Sequence, residues 1–141
     1  MQKIHFYFIE RQPTIRQRKK LKVFIEELFY LEGKRLVTLS YVFCSDGYLL
    51  EMNKKFLKHD FYTDVITFDL GSSKTEIEGE IYLSIDRIKE NARAEAVSFE
   101  NELHRVIFHG ALHLCGYKDK KPSEIALMRK KEGKYLGLYF K

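Results

Sequence analysis

Apolar positions change period several times along the chain, and each change marks an element. KIHFYFI (3–9) is a short apolar run of β character. Leu21, Phe24, Ile25, Leu28 and Leu31 then recur at helical spacing. Thr14 with Gln17 forms a capping-box pair ahead of them, and Gly33 closes the helix. RLVTLSYVFC (35–44) is rich in β-formers, and SDGYLLEMNKKFL (45–57) reads as a helix with Ser45 or Asp46 at its N-cap. DVITFDL (64–70) predicts a strand, GSSKTEIEG (71–79) a turn or loop, and the alternating EIYLSI (80–85) a second strand. Ser84 caps a helix over roughly 85–96, Ser98 caps one running through Cys115 to Gly116, and Pro122 opens a last amphipathic helix over 122–136. The order β-α-β-α-β-β-α-α-α predicts an α+β fold, a small mixed four-stranded sheet packed against about five helices. No repeat, linker or low-complexity tract divides the 141 residues, so one domain over 1–141 is expected.

Composition narrows the class. With 45% hydrophobic and 14% aromatic residues the chain can fill a core, which excludes a disordered protein. No apolar run reaches membrane-spanning length, and the opening MQKIHFYFIERQ lacks the pattern of a signal peptide, so no membrane and a cytoplasmic location are expected. Cys44 and Cys115 are too few for a disulfide framework and read as buried free thiols. The net charge of +5 is modest, but its distribution is uneven. RQPTIRQRKKLK carries six cations and no acid, and KDKKPSEIALMRKKEGK carries seven against three acids. Clustered Lys and Arg on helix faces are the footprint of a polyanion partner as well as of a solvated surface.

The stretch HGALHLCGYKD (109–119) carries the candidate chemistry. His109 and His113, four apart on a helix, project from one face. Gly116 lets the chain leave the helix sharply, and Asp119 can then swing back as an oxygen ligand. Three protein ligands leave a fourth position open for water, the arrangement of a catalytic rather than a structural zinc, here at the end of a central helix. The competing reading is a pair of core-facing histidines on an apolar helix. The spacing is shared with metzincin metallopeptidases, but those place Glu, their general base, where this chain has Gly110.

The stretch also resembles the signature of the YbeY family, H-G-x-L-H-L-x-G-Y-D-H. MNKKFLKHDFYTDVITF (52–68) is similar to that family's L-N-x-x-[FY]-R-x-x-x-x-x-T-D-V-L-S-F, and EGEIYLS (78–84) to its L-G-D-I-x-I-S. Order and spacing agree from about residue 36 to 137. The resemblance implies a zinc-dependent, single-strand-specific endoribonuclease of the bacterial cytoplasm. Its expected role is maturation of ribosomal RNA, chiefly small-subunit RNA, and ribosome quality control. It implies one zinc per chain, held by His109, His113 and Asp119. Its implied partners are ribosomal or other single-stranded RNA, with ribosomal proteins or assembly GTPases. Two departures stand out. Asp119 replaces the family's third histidine, which makes the site more anionic and the metal a weaker Lewis acid. Leu57 replaces an arginine able to hold a phosphate. Lys54, Lys55 and Lys58 are candidate RNA contacts, but a lysine offers a point charge rather than a bidentate fork.

No side chain is singled out as the catalytic group. A metal-held water is the expected nucleophile, and Lys58 and His59 are weak catalytic candidates. His59 otherwise reads as a solvated loop residue, His104 as structural or surface, Asp64 as a cap at a strand start, and Cys115 as facing away from the ligands. Three functions compete: a zinc endoribonuclease, an RNA-binding ribosome-assembly factor with a structural metal and weak or no catalysis, and a metallopeptidase, which Gly110 opposes.

Overall fold

A computed structural model describes residues 2–141. Four strands, β1 (Ile4–Ile9), β2 (Arg35–Cys44), β3 (Val65–Asp69) and β4 (Glu76–Ser84), form one sheet in the order β1-β2-β4-β3. β1 and β4 both run parallel to β2, and β3 closes the edge antiparallel to β4, so the sheet is mixed. Five helices complete the α+β fold: α1 (Arg18–Leu31), α2 (Asp46–Leu57), α3 (Ile85–Ala94), α4 (Phe99–Leu114) and α5 (Pro122–Tyr139).

The apolar stripes predicted from periodicity meet in one main core. Leu21, Ile25 and Leu28 of α1, Leu39, Tyr41 and Phe43 of β2, and Ile81 and Leu83 of β4 are buried in it. α4 is the central helix, burying Leu103, Val106, Ile107, Phe108, Ala111 and Leu112. Tyr41, wholly buried, donates its hydroxyl to the Ile107 carbonyl at 2.9 Å, pinning α4 to the inner strand β2. Gly110 is the contact point with β4. A Cβ there would stand 2.8 Å from Ile81 Cγ2, so α4 reaches this depth because the residue has no side chain. Any larger side chain at position 110, a glutamate base included, would have to displace Ile81.

Three caps form as the sequence predicts: Ser45, Ser84 and Ser98 accept from Tyr48, Arg87 and Asn101 N–H. Asp46, the alternative cap of α2, instead pairs with Arg87 at 2.8 Å and accepts from Ser84 Oγ at 2.9 Å. Other boundaries moved. Thr14 and Gln17 form no capping box. Gln17 adopts φ 53°, makes no side-chain cap bond, and α1 starts at Arg18. Buried Ile15 anchors the preceding loop in the core and holds it out of the helix. β4 begins at Glu76, not residue 80, because Ile77 already alternates inward and Arg35 on β2 pairs with Glu76 across the ladder. β3 is one residue shorter at each end than the 64–70 reading, and α5 runs three residues past 136, to Tyr139. Among the described residues no helix is long and apolar enough to cross a membrane. Burial pushes both thiols up to about 12, Cys44 and Cys115 alike, so they are unreactive fillers.

Candidate metal centre

Helix spacing brings His109 and His113 together at the C-terminal end of α4, ring centroids 4.5 Å apart and planes perpendicular. Gly116, at φ +108°, turns the chain out of the helix. The carboxylate of Asp119 then returns over the same face, its Oδ2 3.3 Å from His109 Nε2 and 3.2 Å from His113 Nε2. One ligand atom from each of the three residues lies within 4.8 Å of the others. Two atoms bound tetrahedrally at 2.0–2.2 Å from one zinc stand roughly 3.3–3.5 Å apart, which the two His–Asp separations approach without backbone movement.

The tautomers follow from what the other ring nitrogens meet. His109 Nδ1 donates to Glu132 Oε2 at 2.5 Å, and His113 Nδ1 donates to the Tyr117 carbonyl at 2.8 Å. Both partners are acceptors, so each Nδ1 carries a proton and each Nε2 is the nitrogen turned toward Asp119. Two imidazole nitrogens and a carboxylate oxygen that converge from three residues are nitrogen and oxygen donors of the kind zinc takes. The donor set therefore fits a divalent metal.

A buried layer orients these groups. Glu132, with its side chain 2% exposed, accepts from Arg105 Nη1 at 3.0 Å as well as from His109. Burial pushes its carboxyl up, but the His109 hydrogen bond and the Arg105 charge outweigh that and hold it below the usual glutamate range. Arg105 is in turn gripped by Glu102 through Nε at 3.0 Å and Nη2 at 2.7 Å. On the other side Glu32, just past α1, accepts from the hydroxyls of Tyr117, at 2.6 Å, and Tyr135, and from Lys131 Nζ at 3.2 Å. Burial raises Glu32, and these three donors outweigh it and keep the carboxylate ionised. Glu32 thereby fixes Tyr117, whose carbonyl holds His113. Sequence reading missed both acids. Glu132 had a signal, a lone acid within RKKEGK of a helix that must bury one face; Glu32 had none, because its partners lie 85 to 103 residues away.

The remaining candidates lie around this group rather than in it. His109 and Asp119 line two cavities. One, about 360 Å³, also holds His113, Leu57, His59, Phe61, Thr63 and Lys120. His59 is exposed and stacks on the half-exposed Phe61, centroids 5.0 Å apart at 19°, and it joins no ligand set. Lys58 ends α2 in a left-handed turn, φ 60°. Lys54 lies 3.7 Å from Glu51 and 3.6 Å from Asp60, so its charge is partly spent, and Lys55 lies over the Phe56 ring. Asp64 accepts from Asn91 Nδ2 at 3.0 Å, and its carbonyl accepts from Ser84 N–H. The second cavity, about 280 Å³, is walled by Arg105, Met128, Arg129 and Glu132. His104 is remote from both, buried among Phe108, Tyr139 and Phe140.

Fold and cluster together describe an α+β protein with a candidate hydrolytic metal centre at the open end of its central helix. Comparison with known proteins narrows that class. The family model described as Endoribonuclease YbeY matches residues 8–139. Among similar proteins, the endoribonuclease YbeY of Cytophaga hutchinsonii is 47% identical over 135 residues, covering 96% of this chain and 94% of the relative. That of Bacteroides thetaiotaomicron is 41% identical over 128 residues, covering 91% and 92%. A solution structure of a Thermotoga maritima protein superposes with a TM-score of 0.65 at 30% identity, over 96% of this chain and 89% of the other. The chain belongs to the endoribonuclease YbeY family.

Proposed function

We propose that this chain hydrolyses single-stranded RNA with one zinc ion held by His109, His113 and Asp119. Its role is the maturation of ribosomal RNA, and the whole chain acts as one unit in the cytoplasm. Family membership supports the endoribonuclease activity and the RNA substrate. The observation that carries the metal is the convergence of two Nε2 atoms on Asp119 Oδ2 at 3.2 and 3.3 Å, with both Nδ1 atoms already committed to acceptors.

When bound there, the metal supplies Lewis-acid catalysis for phosphodiester hydrolysis. The residues do the rest. Glu132 and the Tyr117 carbonyl hold Nδ1–H and aim Nε2, which raises the basicity of the imidazoles as ligands. Asp119 lowers the net charge of the centre compared with a third imidazole. The stacked pair Phe61 and His59 gives the wall of the larger cavity an exposed π-face, suited to an unpaired base and not to a closed duplex. Lys120, for which no carboxylate lies in ion-pair range among the described residues, adds charge to the same wall, and Lys58 stands in the chain between two residues of that wall, Leu57 and His59.

The assembly-factor reading rests on Leu57, which leaves its side of the centre without a guanidinium. Metal content and single-stranded RNA cleavage, measured on wild type, His113→Ala and Asp119→Ala, separate the readings. About one zinc per chain, lost in both variants together with cleavage, is the expected result. Zinc without cleavage in wild type supports the assembly factor. No metal in wild type even after zinc addition removes the metal reading.

A further inference from the structure

Resting on the RNA-hydrolase reading, we propose that Arg129 on α5 is the guanidinium that grips a substrate phosphate beside the centre. It would work from the opposite side to Leu57. His109, Asp119 and Asp64 line both cavities, so the candidate metal centre stands where the two meet. The side holding Leu57 offers no arginine, and the other holds two, Arg105 and Arg129.

Arg105 cannot serve. Its Nε and Nη2 are committed to Glu102 at 3.0 and 2.7 Å and its Nη1 to Glu132 at 3.0 Å, with the side chain 15% exposed. Arg129 differs on each count. Its side chain is 58% exposed, and its one ionic contact among the described residues is a long one, Nη1 to Glu132 Oε1 at 3.4 Å. Among the described residues no acceptor meets Nε or Nη2, so their N–H groups are open to another oxygen, and a planar fork suits a phosphodiester better than an ammonium does. The long contact also gives the guanidinium a register. Glu132 holds His109 Nδ1 through its other oxygen, Oε2, so Arg129, Glu132 and His109 form one hydrogen-bonded chain that ends at the proposed ligand atoms. A phosphate between the metal and Arg129 would meet positive charge on both sides. Without Arg129 the acids of this cavity, Asp64, Asp119 and Glu132, would face it with only the metal and the saturated Arg105.

A purely structural Arg129, one that only neutralises Glu132, makes a different prediction. The discriminating measurement is the salt dependence of binding to a short single-stranded 2′-O-methyl oligoribonucleotide, by fluorescence anisotropy, with and without added zinc. Each phosphate contact on a single strand contributes about 0.7 to the slope of log K against log salt. Arg129→Gln is expected to shrink the slope by about 0.7 and weaken low-salt binding about tenfold, in both metal states. Arg129→Lys keeps the slope because the charge remains. Leu57→Arg, added to Arg129→Gln, restores the slope from the other cavity. An unchanged slope in Arg129→Gln overturns the contact and leaves the RNA reading standing, even if metal content falls. Absence of wild-type binding at low salt removes the RNA reading and the contact together.

Discussion

α4 carries three histidines in two environments, and the contrast shows what makes an imidazole a candidate ligand. His104 is 1% exposed, stacked on Tyr139 with centroids 5.0 Å apart, its Nδ1 bonded to the Glu100 carbonyl at 2.7 Å and its Nε2 buried with no hydrogen-bond partner. His109 and His113 also have Nδ1 bound to an acceptor, but their Nε2 atoms open onto a cavity and meet a carboxylate. All three sit on the same helix with Nδ1 committed. What differs is the group that faces Nε2: an apolar nest in one case, Asp119 and space in the other. Burial lowers the pKa of His104, against the smaller pull of Glu100, so the nest stabilises a neutral ring with no metal.

Truncation exposes the contrast most sharply. His109→Ala should abolish zinc binding and metal-dependent RNA cleavage while leaving the fold intact. His104→Ala should retain zinc and cleavage per folded molecule while losing about 2–4 kcal/mol of stability, as a buried ring replaced by a cavity does. Metal analysis beside urea melts checks both, and zinc loss in His104→Ala would erase the distinction. Next in size is the layer behind the ligands. Glu132→Gln keeps the shape but removes the carboxylate acceptor for His109, and zinc affinity should drop about 10–100-fold by competition titration with a chelator. Affinity unchanged would mean that Glu132 acts only as the partner of Arg105.

Gly110→Ala probes the packing between the two environments. The added Cβ would press Ile81 at 2.8 Å, with an expected cost of about 1–3 kcal/mol in chemical denaturation. The smallest effect is in pH. His104 titrates below 6.5 when folded, so under about pH 6.5 the unfolded chain takes up a proton that the folded chain refuses. Its contribution to stability is therefore complete above that pH and declines as pH falls toward the folded value. His104→Phe should flatten this part of the stability–pH curve, and an unaltered curve would show that the nest does not control the titration.

Several features of this site were legible in the chain because they are local. The i, i+4 pair, the left-handed exit at Gly116 and the caps at Ser45, Ser84 and Ser98 each depend on groups within a few residues. The capping box at Thr14 failed for the opposite reason. Ile15, drawn into a core built by distant strands, overrode a local preference. The early start of β4 was likewise set by the ladder to β2 and not by the alternation of its own last residues.

By itself, then, the sequence determined the α+β class, the mixed sheet with its helices, the family, and three residues able to meet at the end of one helix. It also posed the problem of Leu57. Tertiary structure alone decided which nitrogen of each histidine faces Asp119, through Glu132 from α5 and the Tyr117 carbonyl fixed by Glu32 at the end of α1. It alone distinguished Arg129 from Arg105, residues of equal charge whose open donors depend on what surrounds them. The physical reason is range. Helix phase and backbone turns follow from neighbours in the chain, whereas hydrogen-bond partners and burial are settled only when segments far apart in sequence pack together.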